Sequence, residues 1–376
     1  MTIIMLIFVM ALLGGSIGTP LVRKLAIKSG FIAIPKADRA HTEPTALMGG
    51  LAIYAAAISA LLVIVATAAV VGNMFRLGEL ASILLAASLM SAIGLWDDRR
   101  ALPAWAKLGA QMVPVVIVFL AGSRVSLGFL GVSNWNELLN FLVTACWILY
   151  ITNAINYLDN ADGTAIMTSA TASAIFLLIA VLNDQLLVSM LAAALLGSSL
   201  GFARYNLPLP KSTIFMGDSG SLFLGFLLAV LGIKIRIPAN VVEITWMVPV
   251  IVLGLPIFDT AMVFVSRTRR GISFFRGGVD HTTHRLSRYG LDKLSVALAV
   301  SLITGALGLV AIFITQATEM EAYTVFATLL VLAAVLMWLI EFKPTLEFRA
   351  GSKPSAPPDA DDSLASASPP AASTPR

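Results

Sequence analysis

The sequence predicts an all-α, polytopic integral membrane protein of about eleven transmembrane helices, and three observations carry this. Only 12% of the 376 residues are charged, and 58% are hydrophobic; a soluble domain carries about 25% charge. The charged residues fall in clumps separated by apolar runs of about 17–23 residues, each long enough to cross a bilayer as a helix. These runs lack the period-two alternation of half-buried strands, so a large soluble α/β enzyme is a poor competitor. The basic residues also collect on alternate connections.

Taken in order, the spans are 3–22, 49–72, 79–96, 104–122, 136–157, 164–182, 186–203, 219–235, 244–265, 294–315 and 322–342. The first has no basic residues ahead of it, and Arg23 and Lys24 follow it. It reads as a retained helix, not a cleaved signal peptide. Of the 25 Lys and Arg, 21 lie on one set of connections; only Arg76, Arg124, Lys234 and Arg236 lie on the other. By the positive-inside rule the rich side is cytoplasmic, with the N-terminus outside and the C-terminus cytoplasmic. The net charge of +4 orients helices and favours anionic headgroups or substrates; it does not imply nucleic acid. Residues 1–342 form one membrane domain. The tail 343–376, rich in Pro, Ala, Ser and Asp from Gly351, cannot bury a core and is expected to be disordered. Cys146 stands alone in an apolar run, so there is no disulfide framework.

Five polar clusters lie on the predicted cytoplasmic side: RAHTEPTALMGG (Arg39 to Gly50), DDRRALPAWAK (Asp97 to Lys107), NAINYLDNADG (Asn153 to Gly163), FMGDSGS (Phe215 to Ser221) and GGVDHTTHR (Gly277 to Arg285). Taken singly, each is explained by turns and helix caps. Together they are not. All three histidines, His41, His281 and His284, lie in them. Asp97, Asp98, Asp159, Asp162 and Asp218 sit at helix ends, where ionised groups need water or partners. Carboxylates without thiolates suit a hard cation such as Mg²⁺. With Lys107, Arg285 and two His beside them, they suggest phosphoryl chemistry.

The Asp97-Asp98 pair, NAINYLDNADGT, FMGDSGS and HTTHR resemble the motifs of the polyprenyl-phosphate N-acetylhexosamine-1-phosphate transferases, which include the phospho-N-acetylmuramoyl-pentapeptide transferases. PIFDT (Pro256 to Thr260) is similar to that family's ninth helix. The resemblance implies transfer of a sugar 1-phosphate from a UDP-sugar, UDP-GlcNAc by default, to undecaprenyl phosphate at the cytoplasmic face of a bacterial inner membrane, releasing UMP. It implies Asp218 as Mg²⁺ ligand (Mn²⁺ is an alternative) with Asn156 as oxygen partner. Phe215 would stack on uracil and Asp162 would read its edge. Lys107, His281, His284 and Arg285 would hold phosphate oxygens. Asp97 and Asp98 would position or deprotonate the lipid phosphate, and Asp159 would join the same catalytic cluster. By analogy a homodimer is expected. Asn160 and Thr164 stand where Gly and Leu are commoner, and the two His are split by Thr-Thr. The split His pair weakens the pentapeptide branch as an alternative. A multi-pass transporter is the reading from another class; clusters on one face and the lack of repeated halves speak against it.

Overall fold

The computed structural model describes residues 1–33, 44–70, 77–127, 134–273, 278 and 280–342. The expected tail, His41 and Arg76 lie outside these residues. The helices are α1 (Thr2–Lys28), α2 (Gly49–Val70), α3 (Leu77–Arg99), α4 (Ala104–Leu120), α5 (Asn134–Leu158), α6 (Thr164–Leu182), α7 (Leu186–Asn206), α8 (Gly217–Lys234), α9 (Val242–Thr245), α10 (Met247–Val252), α11 (Gly254–Arg269), α12 (Thr282–Arg288), α13 (Lys293–Ile314) and α14 (Glu319–Phe342). Among the described residues, eight are long and apolar enough to cross a membrane. The chain is therefore a multi-pass membrane protein.

The eleven expected spans overlap helical segments, but eleven crossings are not reached among the described residues: eight helices qualify by length and composition, nine if one bent pair is a single span. The fourth expected span corresponds to a shorter apolar helix, Ala104–Leu120. The ninth, expected as one helix over 244–265, is broken: Val242–Val252 and Gly254–Arg269 meet at a bend of 71°. Pro256 explains the break, because its ring removes an amide donor and clashes with the carbonyl four residues earlier. That carbonyl is Val252, the last residue of α10.

A second departure is a small sheet of β1 (Ile32–Ala33), β2 (Thr45–Leu47) and β3 (Ile214–Phe215). β1 pairs antiparallel with β2 (Ile32 opposite Ala46), and β2 pairs parallel with β3 (Leu47 opposite Phe215). Two- and three-residue strands carry too little period-two pattern to be read from sequence. They tie the segment before α2 to the one before α8.

α8 is the core of the bundle. Its sequence is apolar around its whole circumference, as a helix enclosed by others requires, and from Ser219 to Ile233 every residue is buried. α2, α3, α5, α6, α7 and α10 pack around it. α14 lies at the periphery, with most of its surface open.

The approach of α3 to α8 is backbone against backbone. A Cβ placed on Gly94 of α3 would sit 2.3 Å from the Asp218 carbonyl oxygen. Gly94→Ala is therefore expected to destabilise the protein by about 1–3 kcal/mol, the usual cost of overpacking. Gly109→Ala, where a Cβ meets nothing within 4 Å, is expected to be neutral or to stabilise by up to about 1 kcal/mol. Thermal unfolding in detergent checks the pair; a Gly94→Ala protein as stable as the parent would contradict the packing.

Candidate active site

The site is built around the first turn of α8. Gly217 opens that helix with φ +72°, a left-handed conformation that Gly adopts without steric cost. A Cβ there would also lie 2.7 Å from a carboxylate oxygen of Asp98. Asp98, at the end of α3, accepts hydrogen bonds from the Asp218 amide (2.8 Å) and the Ser219 amide (3.1 Å). It caps two of the amides that a helix N-terminus leaves without partners. Those amides are thus consumed inside the protein, and positive charge for a bound anion must come from side chains.

Lys107 of α4 supplies it. Its ammonium donates to Asp218 Oδ2 at 2.5 Å, Asp97 Oδ2 at 2.9 Å and Asn156 Oδ1 at 3.3 Å. Asn156 of α5 donates in turn to Asp218 Oδ1 (2.9 Å) and to Ser221 Oγ (2.8 Å). The second oxygen of Asp97 accepts from the Leu102 amide at 2.6 Å. Asp97, Asp98, Lys107, Asn156 and Asp218, drawn from four helices, form one connected cluster. Without the ammonium, two carboxylates would face each other; unit charges about 4 Å apart repel by about 4 kcal/mol at an effective dielectric near ~20. One turn deeper on α4 and α5, Gln111 and Asn153 bond to each other (Asn153 Nδ2 to Gln111 Oε1, 2.7 Å), which fixes the two helices side by side.

Asp159 lies just past the end of α5. Burial, then the like charges of Asp218, Asp98 and Asp162, push its carboxyl well above the ordinary carboxylate range. Its neutral form is favoured, and a cation placed beside it would offset that field. Asp162 accepts from Lys293 Nζ at 2.9 Å. Its loop is anchored by Asn206, which accepts from the Gly163 amide (3.1 Å) and donates to the Ile214 carbonyl (3.1 Å). One side chain thereby links NAINYLDNADG to FMGDSGS. Phe215, half-buried on β3, stands three residues before Asp218.

The histidines form the adjoining wall. Asn160 accepts from Thr283 Oγ1 of α12. The His281 ring lies 6.3 Å from that of Tyr157, which follows Asn156 on α5, and 6.3 Å from that of His284. Burial, then the neighbouring His281 and Arg288, hold the His284 imidazole below its ordinary value, which favours its neutral form at pH 7. Behind this wall, Asp280 accepts from Arg270 (2.5 Å) and Arg267 (3.2 Å). Burial raises the Asp280 carboxyl, but the two guanidiniums outweigh it and hold the group below the ordinary carboxylate range.

Arg285 differs from its expected placement. Its three nitrogens donate to the Asp280 carbonyl, the Ile340 carbonyl, Ser266 Oγ and Glu341 Oε2, at 2.7–3.3 Å. As it stands, it braces α12 against α11 and α14. Sequence reasoning also missed Lys293, Thr283 and Asp259. Asp259 could have been found, since a lone carboxylate within a membrane-length apolar run is unusual. Lys293 and Thr283 carry no such signal.

Among the described residues, no group of three or more His, Cys, Asp or Glu is arranged to hold a metal ion. The donors around Lys107 still fit a hard cation, because Mg²⁺ takes one or two carboxylates and completes its shell with water and substrate phosphates. Asp218 and Asn156 present such oxygens, and the Lys107 ammonium marks a place where positive charge is stable.

Residues 80–236 match glycosyl transferase family 4. The chain is 28% identical, over 92% of its length and 96% of the relative's, to a Bacillus subtilis protein named "Probable undecaprenyl-phosphate N-acetylglucosaminyl 1-phosphate transferase". It is 29% identical to the decaprenyl-phosphate N-acetylglucosaminephosphotransferase of Mycolicibacterium smegmatis, over 76% of this chain and 75% of the relative. A phospho-N-acetylmuramoyl-pentapeptide-transferase of Lactiplantibacillus plantarum is 33% identical, over 39% of this chain and 50% of the relative. The resemblance read from the motifs is met: the chain is similar to the polyprenyl-phosphate N-acetylglucosamine-1-phosphate transferases over most of its length, and residues 80–236 carry the glycosyl transferase family 4 match.

Proposed function

We propose that the protein transfers N-acetylglucosamine 1-phosphate from UDP-GlcNAc to undecaprenyl phosphate at the cytoplasmic face of a bacterial inner membrane. An oxygen of the lipid phosphate attacks the sugar-bearing phosphorus of the nucleotide. The bond from that phosphorus to the bridging oxygen breaks, and UMP departs with the electron pair. The observation that carries this reading is the cluster of Lys107, Asp97, Asp218 and Asn156 at the buried start of α8, in a chain aligned almost end to end with a relative of that name.

The main obstacle is repulsion between two phosphates, and cationic groups are the direct remedy. Lys107 meets phosphate oxygens by exchanging a carboxylate for them. Mg²⁺ held by Asp218 and Asn156 would supply further charge neutralisation. Phe215 offers a ring face to the base, and Asp162 exchanges Lys293 for the base edge. His281 and neutral His284 donate to phosphate oxygens. Proton removal is a smaller need, because a phosphate monoester with a second pKa near ~6 is largely dianionic at pH 7. Asp98, both of whose oxygens accept backbone amides, acts by holding the first turn of α8. The pentapeptide branch and a transporter are the competing readings.

The full chain in detergent, with Mg²⁺, undecaprenyl phosphate and a panel of UDP-sugars, is expected to release UMP only when lipid is present. Lipid-independent release, or UDP as product, would count against the reading. Asp218→Asn is expected to lower turnover by about 10²–10³-fold, the scale of losing one electrostatic stabiliser, and Asp98→Asn by less. The opposite order would refute the division of roles. His284→Gln, which keeps a neutral donor, is expected to retain more activity at pH 7 than His284→Ala. Equal losses would show that His284 contributes no hydrogen bond.

A further inference from the structure

Asp259 lies in the first half of α11, past the break that separates it from α10, and it is fully buried. Its two oxygens are aimed at one place. Oδ1 accepts from the Thr282 amide at 2.6 Å, and Oδ2 lies 2.8 Å from His281 Nδ1. One carboxylate therefore fixes both the first amide of α12 and the ring of the histidine that precedes it. A carboxylate that already accepts from a backbone amide accepts from the ring as well, so Nδ1 carries the hydrogen. Among the described residues, Nε2 of His281 has no hydrogen-bond partner, and the ring stands between Tyr157 and His284.

The geometry points to Asp259 as a positioning residue that keeps the Nδ1 hydrogen on His281 and leaves Nε2 to meet the substrate phosphates. When a phosphate oxygen still carries a hydrogen, Nε2 takes that proton while the O–H electron pair stays on the oxygen, the ring holds the oxygen through the same hydrogen, and the buried carboxylate balances the charge on the ring. Such charge-assisted bonds are about twice as strong as neutral ones. This assignment rests on the phosphoglycosyl-transfer reading for its kinetic consequence, but not for its structural one.

The test is Asp259→Asn, which keeps the shape of the side chain. Its oxygen still accepts from the Thr282 amide, but its amide nitrogen now donates to Nδ1 and moves the ring hydrogen to Nε2. The chain has three histidines, so ¹⁵N-histidine NMR of the full-length protein in detergent, assigned with His281→Gln, reads the tautomer directly. Nδ1–H is expected in the parent and Nε2–H in the variant. By kinetics of UMP release, the variant is expected to lose about 10–100-fold in kcat, with KM for either substrate within about threefold. In a His281→Gln background, Asp259→Asn should cost less than about twofold more, because it acts through a group already removed. Additive losses, or an unmoved tautomer, would overturn the assignment. If Asp259→Asn does not fold, the parent spectrum alone still decides, since Nε2–H there is incompatible with it. If the parent releases no UMP from any UDP-sugar, the transfer reading fails while the NMR result still tests the Asp259–His281 pair.

Discussion

The structure depends on how the first turn of α8 is held. A helix that is apolar all round has no polar face to place toward solvent, so it is enclosed by its neighbours, and its start must satisfy its own free amides within the protein. Asp98 does this by accepting from the Asp218 and Ser219 amides, and α3 comes close enough because residue 94 has no side chain. Gly217 completes the turn in a conformation that few other residues adopt. The same turn aims Asp218 outward. Packing constraint and chemical centre are thus one piece of structure, which is why a polar cluster can sit at the end of the most buried helix.

Charge in the site is balanced locally. Asp97 and Asp218 share the Lys107 ammonium, and Asn156 closes the ring of contacts. Asp159, close to the same acids without a cation of its own, is pushed toward its neutral form. An anionic group entering such a site competes with Asp97 and Asp218 for the Lys107 ammonium. The histidine wall is stiffer. α12 is pinned by Asp259 at its start and by the Arg285–Glu341 pair through its length, and Glu341 draws the peripheral α14 into support of the site. At the opposite end of the bundle, Glu137 pairs with Arg124 and Glu79 with Lys234. These are tethers between elements, far in kind from the dense cluster on the other face.

What the sequence by itself determined is the class of protein, the positions of nearly all the helices and the polar segments at their ends, including Asp97, Asp98, Lys107, Asn156 and Asp218. Membrane-length apolar runs are a local property, written in consecutive residues. So is the crowding of Asp, Asn and His at their ends, because desolvation excludes such groups from the middle. What only the tertiary structure decided is the partner of each group. Arg285 and His281 sit five residues or fewer from Asp280, yet one turns to Ser266 and Glu341 while the other turns to Asp259. The three short strands and the capping role of Asp98 also come from contacts between residues far apart in the chain. Hydrogen bonds and ion pairs of this kind depend on direction and on distances of a few tenths of an ångström. No local pattern of residue types encodes them, and they exist only once the helices have packed.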